Sequence, residues 1–429
     1  THVVTTSDIY NEFSSGAQDA TAIKRFMKMF YDRANGNTAS QPKNLLLFGD
    51  VTYDPKNRVA NNNYYVPTYE FIYSEDHINA MVTDDYFGIL NDAGGMSPGD
   101  LMQIGVGRLL ISTNDQAVEQ VNKIEHYIKN GSQMYTGGAN ACCSNEDGST
   151  FGNYRLNYTL ITDDDDDNEE GYFILKDAEP AYDSIKLHHP EMNVTKIYCD
   201  ANVQTAGAGG ERYPEVFDQI TDKVETGSLV VNYIGHGGEV GAAKERIITI
   251  PQIQSWTNIN KLGLFVTATC EFTKFDDPAR VSAGEWISLN AVGGSIALMT
   301  TTRSVYFNVN TNIVKRLYAN VFDRDVNGEP LTFGEIMRLT KNTSGSNDNR
   351  RSFNLIGDPN LKIAIPRYKI VTDSINHLDP DLIIDTVEAL SKMHLVGHLE
   401  DYNGNILTNF DGVLKPTIYD KIKLSQTLQ

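Results

Sequence analysis

Two stretches decide the reading of this chain: Ser228-Leu229-Val230-Val231-Asn232-Tyr233-Ile234-Gly235-His236-Gly237-Gly238 and Leu262-Gly263-Leu264-Phe265-Val266-Thr267-Ala268-Thr269-Cys270. Each is a short, nearly unbroken apolar run, the pattern of a strand covered by helices on both faces, and each stops at a residue able to do chemistry. In an open α/β sheet, ligands bind in the crevice beyond the carboxyl ends of the strands. If the two strands are neighbours, His236 and Cys270 emerge side by side in that crevice.

That pairing has a chemical use. A free cysteine is only a few per cent thiolate at neutral pH, and an adjacent imidazole can take its proton and stabilise the thiolate. Glycine follows the histidine, so the Gly237 N–H, with that of Cys270, would point at the oxyanion of a tetrahedral intermediate with no side chain in the way. Two plainer readings compete. On spacing alone, a buried core cysteine and a loop histidine that never meet would give the same pattern. A phosphate cradle at Gly235-His236-Gly237-Gly238 has less support, because the third glycine of the dinucleotide fingerprint falls on Val240 and no Gly-Lys-Ser/Thr loop occurs.

Outward from these strands, similar runs at 158–162, 194–198 and 295–300 alternate with helical segments, which predicts an α/β fold with a mainly parallel sheet. Upstream, a strand at 44–48 follows a helix over 19–34 that puts Ile23, Phe26, Met27, Phe30 and Tyr31 on one face. A strand at 103–108 leads into Thr113-Asn114-Asp115-Gln116, a capping-box pattern, after which Ala117, Val121, Ile124 and Ile128 are expected to face the core. The expected division is a first α/β subdomain at 1–135, a Gly-, Ser- and Asn-rich linker or surface loop at 136–156, a second α/β subdomain at 157–366, and the start of a β-rich module at 367–429. That last segment has short alternating runs, Asn403-Gly404 turn chemistry and no clear helix except around 387–392.

The length of 429 residues suits two or three domains with substantial cores. Lys and Arg number 36 against 56 Asp and Glu, a formal net charge of −20, and a surface this acidic repels phosphate backbones, so nucleic acid is not an expected partner. No apolar run reaches the roughly 18 residues of a membrane-spanning helix. The opening Thr1-His2-Val3-Val4 lacks the features of a leader peptide and reads as the start of a processed or excised piece. Only four cysteines occur, Cys142, Cys143, Cys199 and Cys270, too few for a disulfide scaffold and without metal-binding CxxC spacing. The run Asp163 to Asp167 reads first as a solvated loop. Carboxylates are hard ligands that would also suit a structural calcium ion, although EF-hand spacing is absent.

The residues around the two strand ends resemble a known family. Asn232-Tyr233-Ile234-Gly235-His236-Gly237-Gly238-Glu239, then Trp256, then Thr267-Ala268-Thr269-Cys270-Glu271-Phe272 are similar to the gingipain family of cysteine peptidases. Gly49-Asp50-Val51-Thr52-Tyr53-Asp54-Pro55, Thr83-Asp84-Asp85-Tyr86-Phe87-Gly88, Gly105-Val106-Gly107-Arg108-Leu109 and Leu355-Ile356-Gly357-Asp358-Pro359 also resemble family signatures. The resemblance implies two adjacent α/β subdomains, the second caspase-like with a mainly parallel sheet, followed by the start of a β-sandwich-like (Ig-like) module. It implies His236 as general base and Cys270 as nucleophile, with no cofactor required. Asp84 matches the family's acid before the paired aromatics and would either orient the histidine or line a specificity pocket; Asp85 is its adjacent competitor.

Within the family, Asp276-Asp277-Pro278, Thr300-Thr301-Thr302-Arg303 and Gly412-Val413-Leu414 with Ile418-Tyr419-Asp420-Lys421 are most similar to the sortase-like peptidase of the type IX secretion system. That likeness implies a bacterial cell-surface enzyme attached peripherally at the outer membrane. It would cleave C-terminal sorting domains from secreted cargo and pass the acyl group to a lipopolysaccharide-type acceptor, working with other outer-membrane subunits of the system. The alternatives are a gingipain-like endopeptidase that only hydrolyses, and a non-catalytic docking scaffold.

Overall fold

The computed structural model describes residues 1–72, 76, 78–136, 150, 152–164, 172–375, 392–412, 414, 416 and 426–427. An eight-stranded sheet organises the chain. In spatial order its strands are Asn44–Phe48, Gly105–Leu109, Phe353–Ile356, Ala297–Thr301, Leu264–Ala268, Val230–Ile234, Asn157–Thr162 and Asn193–Tyr198. All neighbours pair in parallel except Phe353–Ile356 with Ala297–Thr301, which are antiparallel. The sheet therefore consists of two parallel blocks, of three and of five strands, running in opposite directions. This is the mixed α/β, mainly parallel architecture expected from the alternating runs.

The five-strand block shows why its sequence reads as continuous apolar residues. Along the histidine strand, Val230 and Ile234 point into one core with Leu264, Val266 and Ala268. Val231 and Tyr233 point into a second core with Phe265, Trp256 and Phe272. With both faces buried, no position is left for a polar, solvent-facing residue of the usual alternation. The helix predicted over 19–34 forms as Ala20–Arg33, capped by Asp19, and buries Ile23 and Met27 in a third core beside the three-strand block.

Two expectations need correction. In the helix Asn114–Thr136 the buried face carries Gln120, Lys123 and Tyr127, whereas Val121 and Ile128 are exposed. The physical reason is polar: the Lys123 ammonium donates to the Ser288 and Asn290 carbonyls, and the Gln120 amide also donates to Ser288. These groups satisfy the open carbonyls at the end of helix Ala283–Leu289. The capping box is half formed, since Thr113 Oγ1 accepts from Gln116 N–H but the Gln116 side chain reaches back to Ser112 instead.

Among the described residues beyond 366, Lys369–Ile375 and Leu395–Glu400 form one antiparallel pair, and the Asn403-Gly404 turn closes with Gly404 N–H donating to the Asp401 carbonyl. One pair of strands is not the two packed sheets of an Ig-like module, so that part of the expectation is unconfirmed. The helix around 387–392, most of the linker, Cys142, Cys143, Asp165 to Asp167 and the segment 417–421 lie outside the described residues.

Candidate active site

The histidine and cysteine strands are direct neighbours. Their parallel register pairs Thr267 with Tyr233 and Ala268 with Ile234, and the ladder extends one step as Gly235 N–H donates to the Ala268 carbonyl at 3.4 Å. Each chain then leaves the sheet, so His236 and Cys270 each stand two residues past the last matched pair. A third strand end joins them. Thr162 pairs with Ile234 on the other side of the histidine strand, and Asp163 N–H donates to the Ile234 carbonyl.

Glycines allow this convergence. A Cβ on Gly235 would collide with Asp163 Cβ and with the Tyr233 hydroxyl, and one on Gly237 would stand 2.7 Å from Thr269 Oγ1. The histidine turn is thus packed directly against the residue before Cys270. The turn is pinned from both sides: Asp163 Oδ2 accepts the His236 N–H at 2.8 Å, and the Tyr233 hydroxyl donates to the His236 carbonyl at 2.5 Å. Ala243 N–H also donates to the His236 carbonyl, which makes Gly237 and Ala242 a non-hydrogen-bonded pair of their short ladder. By the alternation of antiparallel ladders, the Gly237 N–H points away from that partner strand. Phe173 meets the imidazole edge to face, with ring centroids 5.4 Å apart. His236 itself is exposed, and with Gly237, Val240, Ala242, Ile248 and Pro251 it lines a cleft of about 720 Å³.

Cys270 is held on a sharp corner. Thr301 Oγ1 donates to the Thr269 carbonyl and the Asn310 amide to the Ala268 carbonyl, fixing the approach. Glu271 then takes a left-handed conformation, φ 49°, unusual for a non-glycine residue, and its N–H reaches the Arg303 carbonyl. Val305 N–H donates to Sγ at 3.5 Å. Burial pushes the Cys270 thiol above its ordinary range and Glu271 adds to the effect, while the hydrogen bonds from Val305 and Ser304 oppose it. The resting group is a thiol that needs a base. The Arg303 segment beneath it is clamped by a two-pronged ion pair with buried Asp276, at 2.6 and 2.7 Å.

Asp84 is held elsewhere. Arg108 Nε donates to Oδ2 and Nη2 to Oδ1, each at 2.7 Å, and Thr68 donates to Oδ1 as well. The fully buried Arg108 also donates to the carbonyls of Gly49, Val66 and Pro67. Asp85 is likewise committed, to Lys341 and Arg351. The expectation that one of them orients His236 is corrected: both oxygens of Asp84 serve a structural arginine, and the carboxylate that contacts the histidine turn is Asp163. Sequence reasoning took Asp163 only as part of the aspartate run, a solvated loop or calcium ligand, and did not foresee its contact with the histidine turn. The available signal was the one used for His236 and Cys270, a residue at the carboxyl end of a buried strand. Burial pushes Asp163 up to about 8, with the Asp164 and Glu245 charges adding to the rise and the His236 N–H opposing it.

A mainly parallel α/β sheet with a cysteine and a histidine at adjacent carboxyl strand ends is the architecture of the caspase-like cysteine-peptidase class. A family model for peptidase family C25 matches residues 1–364, and the chain belongs to that family. The resemblance to gingipains is thereby confirmed. The Arg-specific cysteine proteinase gingipain R is similar at 16% identity and a TM-score of 0.59, over 84% of this chain and 73% of that one. The complex of the Porphyromonas gingivalis RgpB pro- and mature domains gives 14% identity and a TM-score of 0.58, over 84% and 74%. These likenesses show the fold. Dimeric latent PorU from Porphyromonas gingivalis matches at 21% identity and a TM-score of 0.42, over 94% of this chain and 31% of that one, so the chain spans about a third of PorU's length. No curated relative matches the chain.

Proposed function

We propose that this chain is a cysteine peptidase in which His236 is the general base and Cys270 the nucleophile, and that it acts as a sortase-like transpeptidase. The observation that carries the dyad is the register of Ile234 with Ala268, which sets the two residues equally far beyond adjacent strands. In the first half-reaction the imidazole takes the thiol proton and sulfur attacks the scissile carbonyl. The Gly237 N–H, with that of Cys270, receives the oxyanion. The C–N bond then breaks as imidazolium returns the proton to the leaving amine, and a thioester remains.

The second half-reaction separates transfer from hydrolysis. Water is abundant, but effective molarities of well-oriented groups reach roughly 10⁵–10⁸ M, so a bound amine outcompetes it when held beside the thioester. The amine adds, His236 takes its proton, and the thiolate leaves. The similarity of the 276–278 and 300–303 segments to the sortase-like branch supports this reading, as does the open cleft on the His236 side, which gives a second nucleophile a route to the acyl group. The proposed substrates are secreted proteins with C-terminal sorting domains, the acceptor is a surface lipopolysaccharide-type amine, and the setting is the bacterial cell surface beside other type IX secretion subunits. Mass spectrometry of single-turnover products tests it: an amide adduct should grow with amine concentration while the free acid falls. A free-acid product at every amine concentration, native surface glycan included, would leave a hydrolytic gingipain-like endopeptidase.

A further inference from the structure

Behind the histidine turn lies a group of carboxylates that the proposed chemistry does not use. Asp163 and Asp164 follow the strand Asn157–Thr162, and Glu245 comes from the loop beyond Gly241–Ala242. All three are buried, at 2%, 6% and 4% exposure, and one oxygen of each lies within 4.8 Å of the others. Asp163 uses its two oxygens unequally. Oδ2 accepts the His236 N–H, whereas Oδ1 is buried with no hydrogen-bond partner. An acceptor withdrawn from water and left unfilled is costly, and like charges beside it raise that cost.

We propose that Asp163, Asp164 and Glu245 hold a calcium ion directly behind the His236 turn. Calcium–oxygen distances are about 2.3–2.6 Å, so two ligands of one ion stand no more than about 5 Å apart, which these oxygens satisfy. The donor set is all oxygen, which selects a hard cation over zinc or copper. Bound there, the ion fills Asp163 Oδ1 while Oδ2 accepts the His236 N–H. Calcium would thereby fix the His236 turn from behind. The inference concerns binding and does not rest on the peptidase reading.

The test uses the full chain stripped with chelator and desalted, titrated with calcium chloride by calorimetry and with terbium as a luminescent substitute. Tyr213 donates to Asp164 Oδ2 at 2.7 Å and Tyr233 contacts the His236 turn, so both are placed to sensitise terbium emission. One calcium should bind the stripped wild-type protein, quench the terbium signal by displacement and raise the melting temperature. Glu245→Gln and Asp164→Asn should each weaken binding at least about tenfold by removing a charged ligand. Asp218→Asn, at an exposed site on the helix Pro214–Thr226, should leave it unchanged. Two variants are used so that a folding defect in one, read by circular dichroism, leaves the other as the test. An identical isotherm for wild type and both variants, or magnesium binding as tightly as calcium, would overturn the proposal.

Discussion

In the proposed dyad, Cys270 depends on its neighbour. Burial raises its thiol, so left alone it is a poorer nucleophile near neutrality than a cysteine in water, whose pKa is about 8.5. Because the folded pKa is raised, the thiolate appears only at higher pH unless a base takes the proton. In His236→Ala, the pH midpoint for alkylation of Cys270 by iodoacetamide should therefore lie above that of a free cysteine, whereas the wild type should react readily near neutral pH. A midpoint at or below the free-cysteine value in the variant would mean that the Val305 N–H alone activates the sulfur. Cys270 and His236 were legible in the sequence because each ends an apolar run. Asp163 was not, because the aspartates that follow it make the run look like solvated loop.

At the scale of elements, the site depends on how closely two turns approach. A methyl group on Gly237 meets Thr269 Oγ1 at 2.7 Å and the Gly241 carbonyl at 3.1 Å. Gly237→Ala is thus expected to lower kcat/KM at least tenfold with little change in melting temperature, and adding Thr269→Ala should recover part of the loss by clearing the nearer contact. A fully active Gly237→Ala would show that the turn is not packed as described. The helix Ala283–Leu289 gives a second expectation. Glu285 closes its capping box by accepting from the Ser282 N–H and hydroxyl, and burial pushes it up to about 8. A carboxyl raised this way contributes stability that is fully present below its unfolded value of 4.5 and lost as pH rises through about 8. Glu285→Gln keeps an acceptor but cannot ionise, so its melting temperature relative to wild type should climb between pH 5 and pH 8; a constant difference would contradict the assignment. Strand positions were readable because both-face burial forces apolar runs. The polar face of Asn114–Thr136 was not, since nothing in its own periodicity tells that Lys123 caps another helix.

For the molecule as a whole, the two oppositely directed strand blocks meet where Phe353–Ile356 pairs antiparallel with Ala297–Thr301, and within the three-strand block Ile356 also pairs with Arg108 on the next strand. Arg108 and Asp84 tie the three-strand block together, joining carbonyls of Gly49, Val66 and Pro67 to the segment before Tyr86. Removing one partner of a buried ion pair typically costs about 3–5 kcal/mol. Asp84→Asn should accordingly lower unfolding stability by that order while leaving the ranking of kcat/KM across a peptide panel unchanged. A substrate-dependent loss would restore Asp84 to a specificity pocket. The alternating runs disclosed a mainly parallel sheet, but the antiparallel insertion of Phe353–Ile356 was hidden, because strand direction depends on the path of the connecting chain and leaves no mark on the strand's composition.

The central claim is that Cys270, activated by His236, forms the covalent intermediate, and the most direct measurement is to trap that intermediate. A peptidyl acyloxymethyl ketone incubated with the wild-type protein, followed by digestion and mass spectrometry, should place the adduct on Cys270 and leave the buried Cys199 unmodified. The adduct should form far more slowly in His236→Ala, and processing activity should vanish in Cys270→Ala with the fold retained. An adduct on another residue, or processing by Cys270→Ala at the wild-type rate, would contradict the account.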